Sequence, residues 1–228
     1  MAKTKRKAER REDALTRERI VDAAIALLDD EGEQGLTFRA LAARLATGSG
    51  AIYWHVTNKD ELLAAASDVV VSRALADVRA HATPEQTIGS VALAVFDSID
   101  AHCWAGTQLA RNPPTRALLQ IVERIGRQLQ ALRVPAAVQF TAASVLGSYI
   151  ISESRQNAAN GRSSEPRPDR ADFLASVASE WMQLDADEFP FIRQVASQLR
   201  EHDDRAEFLA GIDLILAGIA SARRADDR

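Results

Sequence analysis

The side chains with the clearest chemical potential lie close together in the stretch "AIYWHVTNKDELL", which begins at residue 51. Tyr53, His55 and Lys59 carry phenol, imidazole and ammonium groups, all of which donate hydrogen bonds that phosphate oxygens accept. Taken singly, the aromatic residues at helical spacing are more often plain core. The combination of donors therefore suggests a nucleic-acid contact only if the surrounding elements present it correctly.

Three predicted helices position this stretch. The segment "TRERIVDAAIALLDDEG" has apolar residues three and four apart, with Thr16 as N-cap and Gly32 as a stop. In "LTFRALAARLA" Thr37 caps a second helix. After a short polar break comes a brief third segment, from Thr47 to Val56. This order and spacing are typical of a helix-turn-helix DNA-binding unit, whose third helix lies in the major groove.

The third segment has the small, polar outer side that groove contact requires. Its leading residues are small enough for close approach to base edges: Ser49, Gly50 and Ala51. We expect Ile52 to point back toward the first two helices, and Tyr53 and His55 to face phosphates. We expect Trp54 to lie on the opposite side and lock this very short helix to the core.

The remainder of the chain also reads as helix, so the predicted fold class is all-α, with a small DNA-binding unit and a larger helical body. Asn58 caps a long fourth helix, and Glu61 completes a capping-box-like pattern. Further helices are predicted at 84–103, 114–132, 135–159, 170–182, 189–200 and 203–223. The polar stretch 160–170 is the one obvious loop.

Charge is unevenly distributed along the chain. The net charge is −4, but the first 11 residues combine six cations with the single acidic residue Glu9. The cations are Lys3, Lys5, Arg6, Lys7, Arg10 and Arg11. Residues 1–14 are therefore expected to form a flexible basic arm that contacts DNA, with a solubilising tail as the alternative. The first 11 residues, if extended, reach about 35 Å, enough to enter a neighbouring minor groove.

Several functional classes find no support in the sequence. No apolar run has the length of a membrane span, and the basic N-terminus lacks a signal-peptide core. The single cysteine, Cys103, excludes an internal disulfide and a cysteine-based zinc site. No nucleophile elbow, phosphate loop or metalloprotease motif is present. We therefore expect a cytoplasmic protein that is not an enzyme and needs no cofactor or metal.

Residues 17–65 resemble the DNA-binding domain of the tetracycline-repressor (TetR) family. The resemblance rests on "LTFRALAARLATGSGAIYWHVTNKDELL", in which "YWHV" and "NKDELL" are especially close to the tetracycline repressors. Near the other end, "FPFIRQVA" and "EFLAGIDLILAGI" resemble the last two helices of that subgroup. The resemblance implies residues 15–60 as the DNA-binding domain and 61–228 as a domain for ligand binding and dimerisation.

The family's operator contacts carry over unevenly. Its phosphate-binding positions match Tyr53, His55 and Lys59, all retained, and Arg39 keeps an arginine. Phe38 replaces a threonine, although Thr37 beside it remains available to a phosphate. The base-reading positions match Ser49–Ala51, which differ from the tetracycline repressors. The resemblance thus implies the same docking pose on a different operator.

The ligand positions also depart from the subgroup. Gln108 stands where the tetracycline repressors have a magnesium-binding histidine, and Ala92 where they have a ring-holding asparagine, so metal-dependent tetracycline binding is not expected. The resemblance instead implies a pocket for an aromatic or amphipathic molecule. Its expected lining is Phe96, Asp100, Cys103, Trp104, Gln108, Arg111, Phe140, Ser144 and Tyr149. Cys103 is expected to be a small buried hydrophobe, and His81 and His102 to face solvent.

The family implies a homodimer formed through a four-helix bundle with two helices from each subunit. The segment 135–154 is rich in small residues, and 208–222 has apolar residues at helical spacing, with an ordinary internal core as the alternative for each. The expected function is a repressor released from a palindromic operator by a small-molecule effector. A transcriptional activator of the same fold, and less so an enzyme using the helical pocket, remain alternatives.

Overall fold

The computed structural model describes residues 15–79, 83–111, 114–161 and 170–226. These ranges contain helices and their connections and no β-strand, so the predicted all-α class is confirmed. The basic arm, with its cations from Lys3 to Arg11, lies outside the described residues. So do His81 and most of the predicted loop.

Three helices form the N-terminal unit, as predicted: Arg17–Gly35 (α1), Phe38–Arg44 (α2) and Ser49–Tyr53 (α3). The hydroxyl of Thr16 accepts a hydrogen bond from the third residue after it at 3.3 Å, and Thr37 does the same at 3.0 Å, so both predicted caps are confirmed. Gly32 breaks the regular course of α1 with a φ of 68°, a conformation that glycine adopts without strain.

The fourth helix, Lys59–Ala76 (α4), begins with the predicted polar cap. Asn58 Oδ1 accepts from the Glu61 backbone N–H at 2.8 Å. The Glu61 carboxylate reaches one residue further back than a capping box does, to the Thr57 N–H at 2.8 Å. That N–H first, and the Arg17 guanidinium next, hold the pKa of Glu61 below its ordinary value. The start of α4 is thus tied to α1.

Seven further α-helices build the body: Pro84–Ala101 (α5), Cys103–Leu109 (α6), Arg116–Ala131 (α7), Ala136–Gly161 (α8), Arg170–Gln183 (α9), Pro190–Val195 (α10) and Asp204–Asp226 (α11). A 3₁₀ helix, Ala196–Glu201, continues α10. The observed bounds lie within three residues of most predicted ones. Two differences stand out: the predicted helix 189–200 changes to 3₁₀ geometry halfway, and α6 is a separate helix that the sequence did not predict.

Two hydrophobic cores lie along the molecule, and α4 belongs to both. The N-terminal core combines α1, α2 and α3 with the part of α4 up to Val70, and it also includes Trp104 and Ala105 of α6. The body core starts at Val71 and continues through α5, α7, α8 and α11. The N-terminal core therefore extends beyond residue 60, into helices that the sequence places in the second domain.

The segment 170–201, which we term the α9–α10 arm, packs mainly on itself. Arg170 forms an ion pair with Asp204 at the start of α11, which fixes one end of the arm. Among the described helices, none combines the length and the apolar character that crossing a bilayer requires.

Candidate nucleic-acid interface and cavities

The helix α3 is anchored by two apolar side chains. Ile52 is fully buried, as predicted, and Val56, just beyond the helix, is 1% exposed. With five residues and no side-chain cap, α3 depends on this packing for its stability. In the preceding turn Ala46 adopts a φ of 51°, a left-handed conformation that costs a non-glycine residue about 1–2 kcal/mol.

The orientation of the aromatic residues differs from the prediction in one respect. Trp54 does not lock α3 to the core, because its side chain is 90% exposed. The ring of Tyr53 instead stacks on Phe38 of α2, with centroids 4.3 Å apart and planes 7° from parallel. Since Ile52 faces the core, a residue two positions later lies about 200° around the helix, which is the sequence signal for exposure of Trp54.

The remaining positions around α3 present a small and open surface. Gly50 is exposed, and a Cβ built there meets no atom within 4 Å. Ser49, Ala51 and Thr47 are half-buried. The side chains at these positions therefore offer little steric obstruction to the major groove of DNA.

Two predicted phosphate ligands lie at the start of α2. Thr37 is exposed while its hydroxyl caps α2. Arg39 is exposed and forms no ion pair with any described residue, so its guanidinium is available to an external anion.

Two more predicted phosphate ligands, Lys59 and His55, have neighbours within the chain. The Lys59 ammonium donates a hydrogen bond to the Glu33 backbone carbonyl. This bond uses one of the three N–H groups of the ammonium. His55 is half-buried. The backbone N–H of Glu18 first, the Thr16 side chain next, and more weakly Arg17 and His55 lower the pKa of the Glu18 carboxyl.

One carboxylate on α1, that of Asp29, binds two side chains of the body. Asp29 accepts hydrogen bonds from His102 Nδ1 at 2.9 Å and from Trp104 Nε1 at 2.8 Å. The backbone turns sharply at His102, between α5 and α6, which aims both donors at α1. His102 is therefore held by Asp29 rather than facing solvent freely, contrary to the prediction.

Three further polar contacts join the same parts of the molecule. Arg73 of α4 pairs with Asp22 of α1 at 2.7 Å, Gln108 of α6 donates to Glu33 at 3.4 Å, and Arg111 pairs with Asp60 at 2.9 Å. Sequence reasoning missed the roles of Asp22 and Asp29 because both read as ordinary charges on the polar face of an amphipathic helix.

The structure disperses the nine side chains expected to line one pocket. Phe96 and Tyr149 pack against Phe208 in the body core, and the Tyr149 hydroxyl donates to the Phe208 carbonyl at 3.3 Å. Trp104 lies in the N-terminal core, and Gln108 is buried against the same unit. Asp100 is exposed and accepts from Asn157 at 3.0 Å.

Three of the nine line two neighbouring cavities beside α8. Cys103 borders a cavity of about 410 Å³, whereas Arg111 and Ser144 border one of about 370 Å³. Both cavities also touch Ser152 and Arg155 of α8. Cys103 is half-buried at a cavity wall, not fully buried as predicted.

Phe140 does not line an interior cavity, because its side chain is 83% exposed on the outer face of α8. Val145 on α8 and Leu214 on α11 are also exposed, at 47% and 76%. The helices α8 and α11 pack side by side. We term the surface that carries these three exposed apolar side chains the α8–α11 face.

An open cleft of about 710 Å³ lies between α4 and α5, and we term it the α4–α5 cleft. None of the nine predicted residues lines it. His102 closes one end, and Arg205 of α11 contributes from the other side.

Sequence comparison with known proteins matches mainly the N-terminal unit. Residues 20–66 match the family profile described as bacterial regulatory proteins, tetR family. An HTH-type transcriptional regulator of Saccharopolyspora erythraea is 32% identical over 107 residues, 47% of this chain and 45% of that protein. The class D tetracycline repressor of Escherichia coli is 44% identical over 59 residues, 26% and 27% of the two chains. The matched region thus spans less than half of these relatives' length.

Solved structures cover much more of the chain. The transcriptional regulator SCO7222, a TetR from Streptomyces coelicolor, is 50% identical, with a TM-score of 0.84 over 92% of this chain and all of that one. ActR of the same species, solved in complex with actinorhodin, has a TM-score of 0.76 at 24% identity, covering 92% and 97% of the two chains. The ActR likeness concerns the fold alone.

Proposed function

The chain belongs to the TetR family of transcriptional regulators, and we propose that it is a homodimeric repressor released from a palindromic operator by a small molecule. The observation that carries this proposal is the presentation of α3. Its core-facing residue Ile52 is fully buried, while Gly50, Tyr53 and Trp54 are exposed. A DNA-binding protein of this kind acts on the chromosome, so we place it in the cytoplasm.

We assign base reading to Ser49, Gly50 and Ala51, with Trp54 beside them. Backbone positioning falls to a second set of donors: Thr37, Arg39, Thr47, Tyr53, His55 and Lys59. Phosphate contacts of this second set fix the register on DNA without reading sequence. The basic arm, from Lys3 to Arg11, adds contacts along the neighbouring groove and steepens the salt dependence of binding.

The α8–α11 face is the proposed dimer interface. Phe140, Val145 and Leu214 expose large apolar surfaces in the single chain, which a second copy would remove from water. Gly218 on α11 is also exposed, with open space around it, so helices from two subunits can approach closely there. Two-fold symmetry would then place the α3 helices about 34–36 Å apart, one turn of DNA.

Response to an effector is supported by the cavities in the body and by their position. The α4–α5 cleft and the cavities beside α8 adjoin the helices whose polar contacts hold α1. ActR, which has a similar fold, was solved in complex with actinorhodin. A ligand that favours mis-spaced α3 helices would lower operator affinity by its differential binding free energy. An activator would use the same contacts, since the sign of regulation depends on the operator's position.

Selection of bound DNA from a random pool tests the proposal, and an inverted repeat is the expected product. In gel shifts on the selected site, Arg39→Ala should weaken binding about tenfold or more, because a charged contact to phosphate or guanine is lost. Arg127→Ala is the matched control, since among the described residues Arg127 forms its ion pair with Glu123, on the exposed surface of α7. Failure to recover any inverted repeat would overturn the proposed function.

A further inference from the structure

Apolar side chains line part of the α4–α5 cleft. Val70 and Ala74 of α4 face Leu93 and Ala94 of α5 across it. These side chains are buried or half-buried, yet the cleft between them holds about 710 Å³, which is in the range of small-molecule sites. Ring systems gain free energy by removing such apolar surface from water.

The rim of the cleft carries an excess of cations. Arg73, Arg79 and Arg205 line it, against the carboxylates of Asp77 and Asp97. Arg205 pairs with Asp97, whereas Arg79 forms no ion pair or hydrogen bond with any described residue. Within the described ranges, the Arg79 guanidinium is therefore left to bind an anionic group.

A buried hydroxyl adds an independent sign of a ligand. Ser98 lines the cleft, is 7% exposed, and its Oγ has no hydrogen-bond partner in the described part of the chain. Buried hydroxyls almost always have a partner, and an unpaired one costs about 1–3 kcal/mol. A rotation about the χ1 bond of Ser98 would be needed to bring this Oγ to an oxygen or nitrogen of a molecule in the cleft.

Two residues that line the cleft also form ion pairs with α1. Arg73 pairs with Asp22, and His102 with Asp29. An anion seated in the cleft competes with Asp22 for the Arg73 guanidinium. Occupation of the cleft is thereby coupled to how firmly α1 is held on the body.

We propose that the α4–α5 cleft binds an amphipathic organic anion. This anion displaces Asp22 from Arg73 and so weakens the attachment of the N-terminal unit to the body. The proposal rests on the proposed function for its consequence at the operator, and on the cleft alone for the binding itself. No residue of the pocket expected from the sequence takes part.

The probe is 1-anilinonaphthalene-8-sulfonate, with neutral N-phenyl-1-naphthylamine as its uncharged counterpart. Fluorescence titration of the full chain should show saturable sulfonate binding that Ala94→Trp, which fills the cleft, weakens at least tenfold. Ala131→Trp, at the exposed end of α7, is the matched control and should leave it unchanged. Arg79→Gln should weaken the sulfonate about tenfold and leave the neutral probe unaffected, because only the anion uses the guanidinium.

Gel shifts with the selected operator then test the coupling. Saturating sulfonate should weaken operator binding, and operator should weaken sulfonate binding by the same factor, in wild type but not in Ala94→Trp. Undiminished sulfonate binding by both Ala94→Trp and Arg79→Gln would overturn the cleft assignment even if operator binding is intact. Absence of operator binding by the wild-type chain would overturn the proposed function, while the titrations still decide the cleft.

Discussion

At the scale of single residues, the indole of Trp54 is 90% exposed next to the Tyr53 ring, which stacks on Phe38. The sequence predicted the burial of Ile52 correctly because apolar spacing along α1, α2 and α3 points one way. It misplaced Trp54 because aromatic residues favour cores on average, and that average outweighed the helical angle from Ile52. The stacking of Phe38 on Tyr53 could not be predicted, since it depends on how two helices cross.

Because Trp54 has little contact with the core, its role can be tested without unfolding the protein. Trp54→Ala should weaken operator binding severalfold, through loss of apolar surface covered by DNA, while the melting temperature changes by less than about 2 °C. Leu119→Ala, another exposed apolar truncation, on α7, should change neither quantity. A marked fall in melting temperature for Trp54→Ala would show that the indole supports the fold.

At the scale of elements, most helices follow from local signals, whereas α6 does not. Thr16, Thr37 and Asn58 cap the helices they were predicted to cap, because capping involves residues three positions apart. The break at His102 has no proline or glycine to mark it. It arises because His102 and Trp104 both donate to Asp29, more than 70 residues earlier in the chain.

Removal of that shared acceptor should therefore cost stability. Asp29→Ala leaves the largely buried Trp104 N–H without its partner and should lower the free energy of unfolding by about 1–3 kcal/mol. Asp30→Ala removes an exposed pairing with Arg44 and should cost less than about 1 kcal/mol. Urea denaturation of the two neighbouring variants makes the comparison, and equal losses would refute a special role for Asp29.

The start of α4 should make stability depend on acidity. Since the pKa of Glu61 is lowered in the folded chain, its stabilising contribution is complete above the unfolded value, about 4.3 for a glutamate, and disappears as pH falls through the folded value. Wild type should melt at a higher temperature than Glu61→Gln at pH 7, and the difference should shrink below about pH 4. A constant difference across this range would exclude the carboxylate as its source.

At the scale of the whole molecule, the sequence anticipated which two helices carry the proposed interface but not which of their faces. Ile212, Leu216 and Ile219 of α11, whose spacing suggested dimerisation, are buried in the body core instead. Tyr149 of α8 lies so close to Gly211 that a Cβ there would be 2.0 Å from its hydroxyl. Only the other side, with Leu214, remains available to a second copy.

That face can be blocked selectively. Leu214→Glu should turn a dimer into a monomer in sedimentation velocity and abolish high-affinity binding to an inverted repeat, because a buried unpaired charge opposes association. Leu119→Glu puts the same charge on an exposed position of α7 and should leave the dimer intact. If Leu214→Glu stays dimeric, the subunits associate elsewhere.

The sharing of α4 between two cores has a consequence for how such regulators can be recombined. A chimera that joins a foreign DNA-binding unit at residue 60 would separate that unit from the positions of Leu62, Leu63 and Trp104. These three residues belong to the N-terminal core. Functional chimeras should therefore need a junction past Val70 together with the matching α6. New operator preferences are more readily acquired by substitutions within α3 than by exchange of the whole N-terminal unit.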